Sequence, residues 1–335
     1  MFYSPTRDLV AHASGILGAI GGTPLVRLNR LFEAHPARVY GKLEFLNAGG
    51  SAKDRPARAM IEEGLKSGEI NPDTTVVESS SGNMGIGLAQ ACSCYGLKFR
   101  CVVDPKTSPT NIQIMKAYGA ELEIVVEPHP VTGEFLAARL DRVRELLQEL
   151  PNAFWPNQYA NKFNARAHYC SVAEILDVLD GCLDWIVVAT STCGTLRGYA
   201  EYLREHSPKT RILAVDAHGS VIFGSPSAKR LIPGHGASVS PPLFSGELCE
   251  ANILVSDLDC VVGCRRLARR EAILAGGSSG GIVTAFSRVS RELVAGSNCV
   301  LIFHDRGERY LSTIYSDEWV KSHFGEGVSW PEECP

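Results

Sequence analysis

Apolar residues recur along the chain in short runs that lack polar alternation, and helical patterns separate these runs. The runs are rich in Val and Ile and predict strands at residues 25–28, 39–43, 75–77, 100–103, 123–126, 185–188, 212–215 and 300–303. Between them, apolar residues spaced by three and four predict helices, most clearly over 136–150 and 282–293. Strands that are apolar on both sides are typical of a parallel sheet covered by helices on both faces. The pattern therefore predicts an α/β fold.

The chain of 335 residues is long enough for about two such domains. The proline-flanked segment 151–156 lies after a predicted helix, where a new part of the predicted structure starts, so we place a domain boundary near it. We predict a smaller α/β domain over 41–154, a larger one over 1–40 plus 155–325, and a tail over 326–335. Residues 217–250 are rich in Gly, Ser and Pro and predict a long irregular segment. A segment of this length inside a compact domain more often has a function than serves only as a connection.

Composition narrows the classes of function. Lys and Arg number 33 against 37 Asp and Glu, and the net charge of −4 gives no electrostatic reason to expect nucleic acid or an anionic membrane. No apolar run approaches the roughly 18 residues of a membrane-spanning helix, and residues 1–14 contain no apolar core of a secretory signal. The 11 cysteines form no Cys-x-x-Cys pair and the 9 histidines form no metal motif. We expect free thiols, no metal and a cytoplasmic protein.

Residues 47–55, Asn-Ala-Gly-Gly-Ser-Ala-Lys-Asp-Arg, are the first candidate for chemistry. The two glycines permit a tight turn, and Ser51 is placed to cap a helix over 52–65 with Lys53 in its first turn. The partial positive charge at a helix N-terminus lowers the pKa of an amine, which suits a lysine that condenses with an aldehyde cofactor. A Gly-rich turn followed by a surface lysine fits the same residues equally well.

Three further Gly-, Ser- and Thr-rich turns precede predicted helices, and we expect each to follow a strand or strand-like run. Residues 79–85, Ser-Ser-Ser-Gly-Asn-Met-Gly, could hold a carboxylate, although their glycines do not match the dinucleotide-binding pattern. Residues 191–195, Ser-Thr-Cys-Gly-Thr, could form a phosphate cup but lack the lysine of a P-loop. Residues 276–281 are Gly-Gly-Ser-Ser-Gly-Gly. Taken singly, each turn is also compatible with helix capping.

Taken together, the order and spacing of the four turns resemble the fold-type II pyridoxal-phosphate enzymes, and more narrowly the cysteine synthase/cystathionine β-synthase family. The resemblance extends from Gly-Gly-Thr-Pro-Leu at 21–25 to Asp-Arg-Gly-Glu-Arg-Tyr-Leu at 305–311. It implies a tryptophan synthase β-like fold of two parallel-sheet α/β domains. It also implies pyridoxal 5′-phosphate in the cleft between them, and a homodimer.

The resemblance further implies roles for particular residues. Lys53 would bind the cofactor aldehyde covalently, Asn83 would hydrogen-bond its 3′ oxygen, and Ser278 would meet its pyridine nitrogen. A neutral serine at that nitrogen favours β-elimination. The cofactor phosphate would be bound by Ser191, Thr192, Cys193, Gly194 and Thr195. The α-carboxylate of the amino-acid substrate would be held by Ser80, Ser81, Asn83 and Gln158.

Departures from the family pattern point to a branch within the family. Ser191 and Cys193 stand where cysteine synthases usually have glycine, and Met84 stands where they usually have threonine. Segments such as 157–161 and 216–224 look most like a branch that joins O-phospho-L-serine to L-glutamate. That reaction is the first step towards 2,3-diaminopropionate for a siderophore.

Both substrates of this branch are anionic, so we expect cationic or N–H-rich partners in the cleft. Arg306 is a candidate near the leaving phosphate. Arg139, which we place on the exposed side of the apolar helix over 136–150, and Tyr159, whose hydroxyl can donate to a carboxylate, are candidates for glutamate. His235 stands where we expect an apolar residue, so the entrance loop is expected to differ.

Two alternative functions stay open. One is a cysteine synthase that uses O-phosphoserine or O-acetylserine with sulfide. The other is a catalytically silent sensor or scaffold that binds pyridoxal phosphate. Intact Lys53, Asn83 and Ser278 argue against the second alternative, because a scaffold need not keep all three.

Overall fold

The computed structural model describes residues 15–290 and 293–326 and contains two sheets covered by helices. The predictions for residues 1–14 and for the tail beyond 326 lie outside this range. The strands are β1 (Leu25–Arg27), β2 (Arg38–Leu43), β3 (Thr75–Ser79), β4 (Lys98–Val103), β5 (Glu121–Ile124), β6 (Ala153–Phe154), β7 (Trp185–Ala189), β8 (Arg211–Ala217), β9 (Ala251–Val255) and β10 (Asn298–Phe303). The α-helices are α1 (Asp54–Ser67), α2 (Asn83–Tyr95), α3 (Pro109–Ala117), α4 (Phe135–Glu149), α5 (Lys162–Arg166), α6 (Tyr169–Val178), α7 (Gly194–His206), α8 (Asp257–Glu271), α9 (Gly277–Val289) and α10 (Asp317–Phe324).

The larger sheet has the strand order β1-β2-β10-β7-β8-β9. Its neighbouring strands are parallel except at one edge, where β1 is antiparallel to β2. The smaller sheet is wholly parallel, in the order β5-β4-β3-β6. Parallel pairing gathers the carboxyl ends of the strands at one edge, where open α/β sheets bind ligands. The predicted α/β class is confirmed.

Both faces of the larger sheet are buried, which explains why its strands lack polar alternation. In β7, Val187 belongs to one apolar core, whereas Ile186 and Val188 belong to another. β8 and β10 divide their side chains between the same two cores. Successive residues of a strand point to opposite faces, so a strand buried on both sides must be apolar throughout.

A buried ionic cluster ties the start of α1 to the larger sheet. Arg55 donates to Glu44 through Nε at 2.7 Å and to Glu174 through Nη1 at 2.8 Å. Glu174, on α6, also accepts from Lys42 of β2 at 2.5 Å. Burial alone would raise the pKa of Glu44, but the adjacent Arg55 guanidinium outweighs it and holds the pKa at about 2. The cluster therefore fixes the residues next to Lys53.

Some elements differ from the sequence predictions. α1 begins at Asp54 rather than at residue 52, and Lys53 is the residue before the helix instead of part of its first turn. The Ser51 hydroxyl accepts from the Lys53 N–H at 3.2 Å, so it organises the turn and does not cap the helix itself. The turn at 276–281 follows α8 and not a strand. The predictions omit β6 and β9, because β6 has two residues and β9 is half exposed.

The segment between β8 and β9 contains no helix or strand, as predicted for most of 217–250. The division into domains at residues 41 and 154 stays a prediction. β2 crosses residue 41 and pairs within the larger sheet. In the part of the chain that the structure describes, no helix has the length and apolar character to span a membrane, and no group of three His, Cys, Asp or Glu could hold a metal ion.

Candidate active site

The four Gly-, Ser- and Thr-rich turns meet in one cleft with a volume of about 280 Å³. The turn of Lys53 follows β2, and the turn at 191–195 follows β7, so both lie at the carboxyl edge of the larger sheet. The turn at 79–85 follows β3 of the smaller sheet, and residues 276–281 form the N-cap and the first residues of α9. The cleft therefore lies between the two sheets, where small-molecule sites of α/β proteins are expected.

Almost all of the predicted site residues line this cleft. They are Lys53, Ser80, Ser81, Asn83, Arg139, Gln158, Tyr159, Ser191, Thr192, Cys193, Gly194, Thr195 and Ser278. Arg306 does not line it, and its Nε donates to the Phe45 carbonyl at 3.0 Å. The structure thus gives no support to a role for Arg306 beside the leaving phosphate.

Lys53 is attached to the end of β10 by its two preceding residues. The Ala52 N–H donates to the His304 carbonyl at 2.8 Å, and Ser51 forms a β-bridge with Asp305. Burial lowers the pKa of Lys53, and the Asp305 carboxylate opposes that shift. The lowered pKa favours the neutral amine, which is the form that condenses with an aldehyde.

The glycines before Lys53 are required by close approach. A Cβ at Gly49 would lie 2.7 Å from Asp54 Oδ1, and one at Gly50, whose φ is +89°, would lie 2.9 Å from Arg309 Nη2. Asp54 Oδ2 accepts from the Gly49 N–H at 2.7 Å. Burial raises the pKa of Asp54 to about 6. The turn is therefore folded around one buried carboxyl group.

Neighbouring side chains hold the turn at 79–85. Ser80 Oγ accepts from an N–H of α2 at 2.9 Å. Gln158 Nε2 and Asn111 Nδ2 donate to carbonyls of the turn at 3.2 and 3.1 Å. Because these carbonyls are paired, the turn can offer a ligand mainly hydroxyl and N–H donors, which suit a carboxylate.

The turn at 191–195 presents a helix N-terminus to the cleft. α7 begins at Gly194, and Cys193 precedes it in the left-handed region with a φ of +61°. A Cβ at Gly194 would lie 2.3 Å from Asn164 Oδ1, so glycine is required. The helix has 13 residues, and Thr192 and Thr195 line the cleft at its start, where Thr192 Oγ1 accepts from the Gly194 N–H at 3.4 Å. This arrangement suits a phosphate group.

The structure buries Arg139, and the prediction that it lies on the exposed side of its helix was wrong. The residue is 8% exposed, lines the cleft, and shares one face of α4 with buried Val143 and Leu146. Its Nε lies 3.2 Å from Asp104 Oδ2, and its Nη1 is buried without a hydrogen-bond partner among the described residues. An apolar repeat cannot distinguish the polar wall of a cleft from an outer surface.

The sequence analysis assigned no role to several polar residues of the cleft, among them His304, Asp305, Tyr310 and Arg230. Asp305 Oδ2 accepts from Asn83 Nδ2 at 2.9 Å. Arg230 belongs to the irregular segment between β8 and β9, and its guanidinium donates to the Gly219 carbonyl. The one available signal was position, because residues directly after a buried parallel strand lie at the ligand-binding edge.

His235 packs behind the cleft and is 1% exposed. Its Nε2 lies 3.2 Å from the Val215 carbonyl and its Nδ1 lies 3.6 Å from Cys260 Sγ. Burial lowers the pKa of His235 to about 4. The residue therefore anchors the loop as a neutral imidazole, while the flanking Gly234 and Gly236 line the cleft.

The chain belongs to the pyridoxal-phosphate dependent enzyme family, whose model matches residues 16–305. It is 47% identical over 309 residues to N-(2-amino-2-carboxyethyl)-L-glutamate synthase of Ralstonia nicotianae, which covers 92% of this chain and 91% of the relative. The enzyme of the same name from Cupriavidus metallidurans is 46% identical, with the same coverage. The solved structure of an O-acetylserine dependent cystathionine β-synthase from Helicobacter pylori is 34% identical. It covers 90% of this chain and 99% of its own, with a TM-score of 0.84.

Pyridoxal phosphate is the cofactor of this enzyme, and the cleft fits it. Lys53 offers an amine of lowered pKa for the aldehyde, and the N-terminus of α7 offers a cup for the phosphate. Asn83 and Ser278 line the same cavity. The assignment of individual residues to atoms of the cofactor stays a prediction.

Proposed function

We propose that the protein converts O-phospho-L-serine and L-glutamate into N-(2-amino-2-carboxyethyl)-L-glutamate and phosphate. In this β-replacement the bond from the β-carbon to the phosphate oxygen breaks, a bond to the glutamate nitrogen forms, and that nitrogen loses a proton. Bound pyridoxal phosphate supplies the electron sink for these changes. The names of two relatives at 46% and 47% identity support the proposal.

Each group of residues in the cleft has its own role in this reaction. Lys53 Nζ takes the α-proton of the substrate and later returns it, a role that the lowered pKa of a buried amine favours. Thr192, Thr195 and the first N–H groups of α7 bind the cofactor phosphate. Ser80, Ser81, Gln158 and the backbone N–H of Asn83 bind the α-carboxylate of phosphoserine, and Ser278 meets the pyridine nitrogen.

The observation that carries the choice of glutamate is the buried guanidinium of Arg139. A buried cation is costly unless it is paired, and Asp104 contacts only its Nε side. The unpartnered Nη1 therefore leaves this guanidinium able to bind an anion in the cleft. Phosphoserine brings a carboxylate and a phosphate whichever acceptor is used; sulfide adds no further carboxylate, whereas glutamate adds two. Tyr159 lines the cleft as a further donor, and Arg230 adds a second guanidinium for the phosphate or the other carboxylate.

The decisive assay offers phosphoserine with glutamate and sulfide in competition and identifies the products by mass. We expect phosphate release that depends on glutamate and yields a secondary amine joining the two amino acids. Arg139→Met should raise the KM for glutamate by about ten- to a hundredfold, the loss of one charged hydrogen bond. Arg144→Met is the matched control, because Arg144 lies on the same helix, is exposed and pairs with Asp141.

Each alternative function corresponds to a distinct result. Cysteine as the dominant product, with no glutamate adduct, would identify a cysteine synthase. Bound cofactor without turnover of either acceptor would identify a silent scaffold. An unchanged KM for glutamate in Arg139→Met would remove Arg139 from the glutamate site.

The cellular compartment, the pathway and the oligomeric state of the enzyme are also proposals. All ten cysteines among the described residues are free, which suits a reducing cytoplasm. The product would serve as a precursor of 2,3-diaminopropionate for a siderophore.

The homodimer rests on the family resemblance, and light scattering of the purified protein tests it. The division into a smaller domain over 41–154 and a larger one is supported by the two separate sheets.

A further inference from the structure

Asp305 is a buried carboxylate that the proposed chemistry does not use. It follows β10, is 3% exposed and lines the cleft. Its Oδ2 accepts from Asn83 Nδ2 at 2.9 Å and from the Tyr310 hydroxyl at 2.5 Å. A Cβ at Gly276 would lie 2.0 Å from its Oδ1, so the carboxylate packs directly on the fourth turn.

The amide of Asn83 is fixed in one orientation by two charged partners. Arg309 Nη1 donates to Asn83 Oδ1, and Arg309 Nη2 donates to the Gly49 carbonyl at 2.5 Å. A guanidinium only donates and an ionised carboxylate only accepts, so turning the amide over would create two repulsive contacts. Asp305 occupies one hydrogen of Nδ2, and the other remains available for a ligand in the cleft.

Asp305 also lies beside the turn of Lys53, because Ser51 forms a β-bridge with it and both Lys53 and Asp305 line the cleft. Its carboxylate raises the pKa of Lys53, as Cys193 does, against the lowering by burial. Burial, and after it the nearby Lys53, lowers the pKa values of His168 and His304, to about 3 for His304, so both imidazoles are neutral. Burial and Asp305 keep the Tyr310 hydroxyl protonated by raising its pKa. Among these groups, Asp305 is the carboxylate that can balance a cation on Lys53.

We propose that Asp305 is a positioning residue that aims the second Asn83 N–H at the 3′ oxygen of the cofactor and balances positive charge on Lys53 Nζ. The proposal rests on the assignment of Lys53 and Asn83 to the cofactor made above. It places the carboxylate that faces both groups directly after β10, 222 residues along the chain from Asn83.

The test removes the negative charge of Asp305 and keeps the size of its side chain. Asp305→Asn protein is loaded with pyridoxal phosphate, and its visible absorption is recorded as a function of pH. A cation on Lys53 Nζ then lacks its counter-charge, so the pH at which the visible band is half lost should fall by about one unit or more. The dissociation constant for pyridoxal phosphate should rise about tenfold, because Asn83 is free to turn over.

Two further variants make the result specific. Glu308→Gln removes an exposed carboxylate from the same segment and should titrate like the natural protein. Asp305→Ser carries the same test if Asp305→Asn does not fold. A titration of the Asp305 variants that superimposes on that of the natural protein would overturn the role of Asp305. A natural protein that gains no visible band with pyridoxal phosphate would instead overturn the assignment of Lys53.

Discussion

At the scale of single residues, two opposing influences set the pKa of Lys53: burial lowers it and the Asp305 carboxylate raises it. We expect Lys53→Ala to lose turnover while it still binds the cofactor phosphate through the turn at 191–195. Borohydride should attach the cofactor to the natural protein at Lys53, as read by mass spectrometry of its peptides. Lys66→Ala, at the exposed end of α1, the helix that follows Lys53, is the control and should keep both properties. Labelling at another lysine would refute the assignment.

Residues whose role depends on a local turn could be predicted from the sequence. Lys53 and Asn83 lie in glycine-containing turns, and the structure brings both to the cleft. Residues whose role depends on distant contacts could not. Asp305 meets Asn83 across 222 residues, and no local pattern records that pairing. Arg139 was assigned to the wrong side of its helix because its partners, Asp104 and the cleft, are not local either.

At the scale of elements, the start of α7 tolerates almost no added volume. Gly194→Ala should weaken cofactor binding and destabilise the protein by about 1–3 kcal/mol, the usual range for overpacking. The physical reason is the 2.3 Å approach of the new Cβ to Asn164 Oδ1, on a side chain whose Nδ2 is already bonded to the Gln158 carbonyl. Thermal unfolding and titration with pyridoxal phosphate measure both effects.

Gly246→Ala is the matched control for Gly194→Ala. A Cβ at Gly246 meets nothing within 4 Å, and the residue is exposed, so neither measurement should change. Equal effects of the two substitutions would mean that the tight fit at α7 does not matter for the cofactor.

Elements were predictable wherever burial on both faces left a continuous apolar run. β7, β8 and β10 satisfy this condition and coincide closely with the predicted runs. β9 does not satisfy it, because its first residues are exposed. The start of α1 was misplaced by two residues because the Ser51 hydroxyl bonds within the turn, to Asp54 and the Lys53 N–H.

At the scale of the whole molecule, the ionic cluster around Arg55 predicts a dependence of stability on pH. The pKa of Glu44 is about 2 in the folded protein, below its ordinary value of 4.5. A lowered folded pKa contributes stability above pH 4.5 that is lost as pH falls towards 2. At 1.36 kcal/mol per pKa unit this contribution is about 3 kcal/mol.

Urea unfolding at pH 7, 5 and 3 tests this dependence. Glu44→Gln should be less stable than the natural protein at pH 7 and should lose less stability on acidification. Glu62→Gln removes an exposed carboxylate from α1 and should follow the natural protein at each pH. Parallel pH profiles for natural and Glu44→Gln protein would contradict the expected role of the cluster.

The position of β10 in the larger sheet has a consequence for synthesis of the chain. β10 lies between β2 and β7, yet it leaves the ribosome about 250 residues after β2. β7 is complete about 110 residues before β10 begins, so at about 5–20 residues per second the growing chain spends roughly five to twenty seconds with two strands that lack their shared neighbour. Such open edges favour aggregation, so chaperones have the most to protect during this interval. A chain truncated before residue 298 loses its central strand and Asp305 together, so we expect it to bind the cofactor only weakly.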